Sequence, residues 1–130
     1  MHRTCGKWSM RQSLAFLVHA DVIIGPETGV MNAAACLDAI KVVLLSHSTH
    51  ENLTRDWKNV ISINSPSTTC PGRGENAAPA CHQMHYGWQH CKKDELTGTA
   101  QCQADIPVSE VWEHVDWALQ ATANRKQQAA

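Results

Sequence analysis

The sequence predicts an α/β fold built on a partial doubly wound parallel sheet. Three observations point to it. Short β-branched runs recur at Asp21–Gly25, Lys41–Leu45 and Asn59–Ile63. Segments of helical period lie around them, and a last apolar helix begins after Pro107. Short buried strands alternating with helices imply right-handed crossovers and parallel pairing.

Each element has its own signal. Ser9-Met10-Arg11-Gln12 has capping-box form, and Met10, Leu14, Phe16, Leu17 and Val18 continue it as a helix over about 10–18. The first strand turns at Gly25-Pro26, and Thr28-Gly29 opens an Ala-rich helix over Val30–Leu37. Cys36 lies in that apolar stretch and is expected to be a small buried hydrophobe. A polar loop with His47, Thr49 and His50 joins the second strand to the third. In the last helix Val108, Val111, Trp112, Val115 and Leu119 fall on one face, which puts Trp112 in the core. The expected divisions are a core over 1–63, an irregular Cys- and His-rich excursion over 64–105, a C-terminal helix over 106–121 and a frayed tail over 122–130.

Composition narrows the function. The 130 residues make one domain of ordinary size, with 43% apolar residues and a net charge of -1. No block of like charge offers a broad basic face, so nucleic acid is not an expected partner. No apolar run approaches a membrane span, and Met1–Lys7 lacks the apolar stretch of a secretory signal. The expected compartment is the cytoplasm, including the inner face of the membrane.

The turn after the first strand carries the chemistry. In a doubly wound sheet ligands sit beyond the carboxyl ends of the strands. A helix N-terminus there offers free N–H groups and the positive end of a dipole. Gly29 lets an anion approach the backbone, and the Thr28 hydroxyl is a further donor. Glu27 repels phosphate; it fits as an organiser of the turn through backbone amides, or as a contact to sugar hydroxyls. A simple cap at Thr28 and a simple turn at Gly25-Pro26 explain the same residues. The stretch is neither a dinucleotide fingerprint nor a phosphate-loop motif. His47, Thr49 and His50 follow the second strand and face the same crevice as weaker candidates. Trp57 and Trp88 are read either as stacking platforms for a sugar or base or as partly buried loop residues.

Cys70, Cys81, Cys91 and Cys102 are spaced by ten, nine and ten residues, with His82, His85 and His90 among them. Four of these could close a structural zinc site, although no tight CxxC pair is present. Disulfides and free thiols are the other readings.

Gly6-Lys7, Ser9, Leu14, Ala20-Asp21, Ile24 to Gly29, Asn32 and Ala34-Ala35 together resemble the C-terminal domain of glycosyltransferase family 9. That family contains the ADP-heptose:lipopolysaccharide heptosyltransferases. The resemblance continues through Lys41–Leu45 with its Ser-rich loop and through Cys102–Leu119; the excursion over 64–101 is poorly covered. It implies the C-terminal, Rossmann-like portion of a GT-B glycosyltransferase. It further implies inverting transfer from a nucleotide-diphosphate sugar, an ADP-sugar first, in lipopolysaccharide or surface-glycan synthesis, with no metal required. By the resemblance, Glu27, Thr28 and Gly29 match the segment at the donor diphosphate, and Lys7 matches a frequent lysine. Asn32 stands where the family usually has His, and Asn can neither carry a proton nor a positive charge. The acceptor base and acceptor site belong to the family's N-terminal domain. The chain is therefore expected to be a donor-binding part that is not catalytic alone, partnered by an acceptor domain or by self-association through an exposed sheet edge. A metal-stapled interaction module and a truncated fragment without function are the alternatives.

Overall fold

The computed structural model describes residues 6–46, 48–66 and 93–128. The elements run α1 (Met10–Leu17), β1 (Val22–Pro26), α2 (Gly29–Ala34), β2 (Ile40–Leu45), a π-helical turn (His50–Thr54), β3 (Val60–Asn64), α3 (Gln101–Ala104) and α4 (Val108–Gln128). The strands form a parallel sheet in the order β1-β2-β3. Ile24 pairs with Val42, and Val42 with Ile61, so these side chains share one face.

That alternation builds a core on each side of the sheet. On one side Ile23, Val43 and Leu45 meet Met31 and Ala34 of α2, with Leu17, Leu53 and Trp57 packed around them. On the other, Val42 and Ile63 meet Ile106, with Val111 and Val115 of α4 against them. Helices on both faces of a parallel sheet are what the sequence pattern predicts.

The α1 start is a complete capping box: Ser9 Oγ accepts from Gln12 N–H, and Gln12 Oε1 accepts from Ser9 N–H at 2.9 Å. α2 is shorter than expected and ends at Ala34, so Cys36 falls on the following turn and is exposed rather than buried. Lys41 takes an unexpected place in β2. It is fully buried, and its Nζ donates to the Leu37 carbonyl at 2.5 Å, just past the C-terminal end of α2.

The expectation for the last helix needs two corrections. Its inward stripe is Ala118, buried, with Val111 and Val115 partly buried, whereas Trp112 is 66% exposed and Val108 and Leu119 are also exposed. Close approach to the sheet favours a small residue at the contact. Ala118 is completely buried, and the bulky indole is rotated outward. The helix also continues through 122–128, where fraying is expected. Ala, Gln, Arg and Lys are good helix formers there. Lys126 bonds Asp21 at 2.8 Å, and Arg125 donates to Asn59 Oδ1 at 3.3 Å. Order also reaches into the excursion. Lys93 bridges Ala100 around a turn, and Thr97 N–H and Oγ1 both donate to Asp94 Oδ1.

No helix among the described residues is long and apolar enough to cross a membrane.

Candidate functional site

The carboxyl ends of β1 and β2 lie side by side, with Pro26 registered against Leu44. Glu27 ties the two following loops together. Its carboxylate accepts from the N–H groups of Ser46 and Ser48, the latter at 3.2 Å to Oε2. The acidic residue is thus directed at the loop after β2, where it fixes the position of the turn after β1. Bonding to backbone amides is one of the two roles the sequence allowed for this carboxylate.

Thr28 caps α2, with extended backbone and Oγ1 accepting from Met31 N–H at 3.3 Å. Thr28, Gly29 and Asn32 are all exposed. The two glycines of the turn differ. A Cβ at Gly25 would press on the Met31 methyl at 3.2 Å, so that methyl would have to shift to admit one. A Cβ at Gly29 would meet nothing within 4 Å, and Gly29 does not have positive φ. The fold makes no demand for glycine at position 29.

Thr49 caps the π-helical turn, with its N–H donating to Asn52 Oδ1 at 2.8 Å. His50 opens that turn, two residues after Ser48. The exposed Glu51 carboxyl is held below its ordinary range, first by Glu51's own backbone N–H. The chain therefore brings Glu27, Thr28, Gly29, Thr49 and His50 to the loops at one end of the sheet, with Asn32 one turn into α2. Lys7 is exposed on the turn before α1, and no hydrogen bond among the described residues connects it to Thr28. His47 lies outside the described residues.

The Cys and His set is divided. Cys70, Cys81, His82, His85, His90 and Cys91 lie outside the described residues. Cys102 lies on α3 and is half-buried. Among the described residues no three His, Cys, Asp or Glu side chains are grouped to hold a metal. Trp57 packs against the core, and Trp88 lies outside the described residues.

Two features escaped sequence reasoning. One is a chain of side-chain hydrogen bonds, His50 Nδ1 to Thr54 Oγ1 at 3.0 Å and Thr54 Oγ1 to Ser62 Oγ at 2.6 Å. The i, i+4 spacing of His50 and Thr54 is visible in the sequence, but nothing there shows that Ser62 meets them. The other is an open groove of about 390 Å³ lined by Ile61, Glu113, His114 and Trp117, on the face covered by α4. It contains none of the residues of the turn after β1.

Comparison with known protein families, characterised proteins and solved structures finds no match.

Proposed function

We propose that this chain supplies the donor-binding part of an inverting glycosyltransferase of lipopolysaccharide or surface-glycan synthesis. Its ligand is a nucleotide-diphosphate sugar, with an ADP-sugar the first choice. The diphosphate lies over Thr28 and Gly29, with Asn32 beside it and Glu27 holding the turn from below. Acceptor recognition and deprotonation belong to an acceptor domain, and the chain does not transfer a sugar alone.

The observation that carries this reading is the open space at Gly29. Neither sterics nor backbone conformation requires glycine there. The residue lies at the end of a strand in a parallel sheet, where ligands of such sheets bind. Close approach of a ligand to the backbone accounts for a missing side chain that the fold does not. Support also comes from Glu27, whose bonds to the β2 loop fix the turn before any ligand arrives.

The test is calorimetric titration of the whole chain with ADP, ADP-sugars and UDP-sugars, beside the variants Gly29→Val and Thr28→Ala. The expected result is ADP binding that Gly29→Val abolishes while the unfolding midpoint changes little. Thr28→Ala is expected to weaken binding and to cost about 1 kcal/mol of stability as a lost cap. Absence of heat with every nucleotide overturns the reading. So does binding that Gly29→Val leaves unchanged.

A further inference from the structure

We propose that Thr54 and Ser62 are positioning residues that fix the His50 imidazole, with Nδ1 as acceptor and Nε2–H turned outward as a donor to a phosphate group. The inference rests on the donor-binding reading above, and deepens it by assigning a second phosphate contact on the loop after β2.

The geometry begins with Thr54, which is completely buried. Its hydroxyl touches His50 Nδ1 at 3.0 Å and Ser62 Oγ of β3 at 2.6 Å. A hydroxyl has one proton, so it donates to one of these partners and accepts from the other. Counting protons selects the direction. If Ser62 donates to Thr54 and Thr54 donates to Nδ1, every hydroxyl proton is placed. The reverse order leaves the Ser62 proton without an acceptor, because Thr54 is the only side-chain partner of Ser62 among the described residues. An unplaced donor in a half-buried position costs more than an unused acceptor lone pair. With Nδ1 accepting, the neutral ring carries its proton on Nε2.

The relay does more than satisfy a buried hydroxyl. Ser62 alone would give Thr54 a partner, and water would serve the exposed His50 equally well. What the bond to His50 adds is a fixed ring and a fixed tautomer. The loop that precedes His50 is anchored to Glu27 through Ser46 and Ser48, on the chain adjoining Thr28. The relay is formed by a π-helical turn, an irregularity common at functional sites. Glu51 is the charged neighbour on the same turn, and its own backbone N–H is the first cause that holds its carboxyl below the ordinary range.

The experiment is nitrogen NMR of the full chain labelled at histidine, with His50 assigned by its loss in His50→Gln. The expected spectrum shows a single Nε2–H tautomer, and ADP shifts Nε2 of His50. Thr54→Val should bring tautomer averaging, Ser62→Ala should leave the Nε2–H tautomer in place because Thr54 still donates to Nδ1, and His50→Ala should weaken ADP binding roughly tenfold. Thr54→Ser should restore both signals. If Thr54→Val fails to fold, the unmodified chain still decides, because an Nδ1–H tautomer at His50 contradicts the assigned direction of the relay. A tautomer unchanged in Thr54→Val, or an Nδ1–H tautomer in the unmodified chain, overturns the inference. ADP binding with an unmoved His50 overturns it alone, and absence of ADP binding overturns it together with the donor-binding reading.

Discussion

Two buried or half-buried charges define the chemistry at the residue scale. Glu27 accepts two backbone N–H groups that have no place in the β ladder. Glu27→Ala leaves those donors unpaired in a half-buried loop and is expected to cost about 2–3 kcal/mol in urea unfolding. Glu27→Gln keeps an acceptor and should lose less. Lys41 is the opposite case. Burial pushes its ammonium below the ordinary 10.5, opposed by Asp38 and then Cys36. The unfolded chain therefore binds that proton more tightly than the folded one. The stability contribution rises with pH from the depressed value up to 10.5. Lys41→Met removes a desolvated charge and keeps its volume. It is expected to preserve or raise stability at pH 7 and to flatten the pH dependence on the alkaline side, measured by denaturant unfolding across that range.

At the scale of elements, α4 shows where sequence periodicity succeeds and where it stops. The 3.6-residue period identifies the helix, but Val111 and Trp112 sit on adjacent stripes and hydrophobicity alone favours the larger. Packing chose Ala118 for the contact, because a helix crossing a sheet closely has room for a methyl and none for an indole. Trp112→Ala is accordingly expected to change stability by less than about 0.5 kcal/mol, and Ala118→Leu to cost about 1–3 kcal/mol by overpacking. Thermal unfolding of the pair distinguishes the two stripes. The strands were legible because a parallel strand is apolar on both faces. The Thr28 cap was legible from turn chemistry, and the bonding of Glu27 to backbone amides was one of two roles that chemistry allowed. The tail of α4 was not, because its anchors Lys126–Asp21 and Arg125–Asn59 join residues far apart in the chain. The Thr54–Ser62 contact was hidden for the same reason.

For the molecule as a whole, the sheet has β1 and β3 at its flanks, with no further strand beside either among the described residues. Ile24 in β1 is 49% exposed. The net charge of -1 and a pI near 6.7 leave little repulsion between copies. Self-association that grows with concentration is expected near neutral pH in sedimentation velocity, and Ile24→Lys should reduce it, since a charge on a flanking strand opposes pairing. An unchanged distribution in the variant would assign association to another surface, the exposed Trp112 stripe first.

The central position of β2 has a kinetic consequence. It contributes Val43 and Leu45 to one core and Val42 to the other, and it carries both hydrogen-bonded ladders of the sheet. Neither half of the molecule can open its core without exposing one side of this strand, and the strand's amides are released only when both ladders are lost. Deuterium uptake should therefore separate two regimes: fast exchange in α1 and the turn at 94–99 through local openings, and slow exchange in β2 at the rate set by global unfolding. Weakening either face of the sheet, by Ile63→Val on one or Leu45→Val on the other, should accelerate the same set of β2 amides by comparable factors for comparable losses of stability.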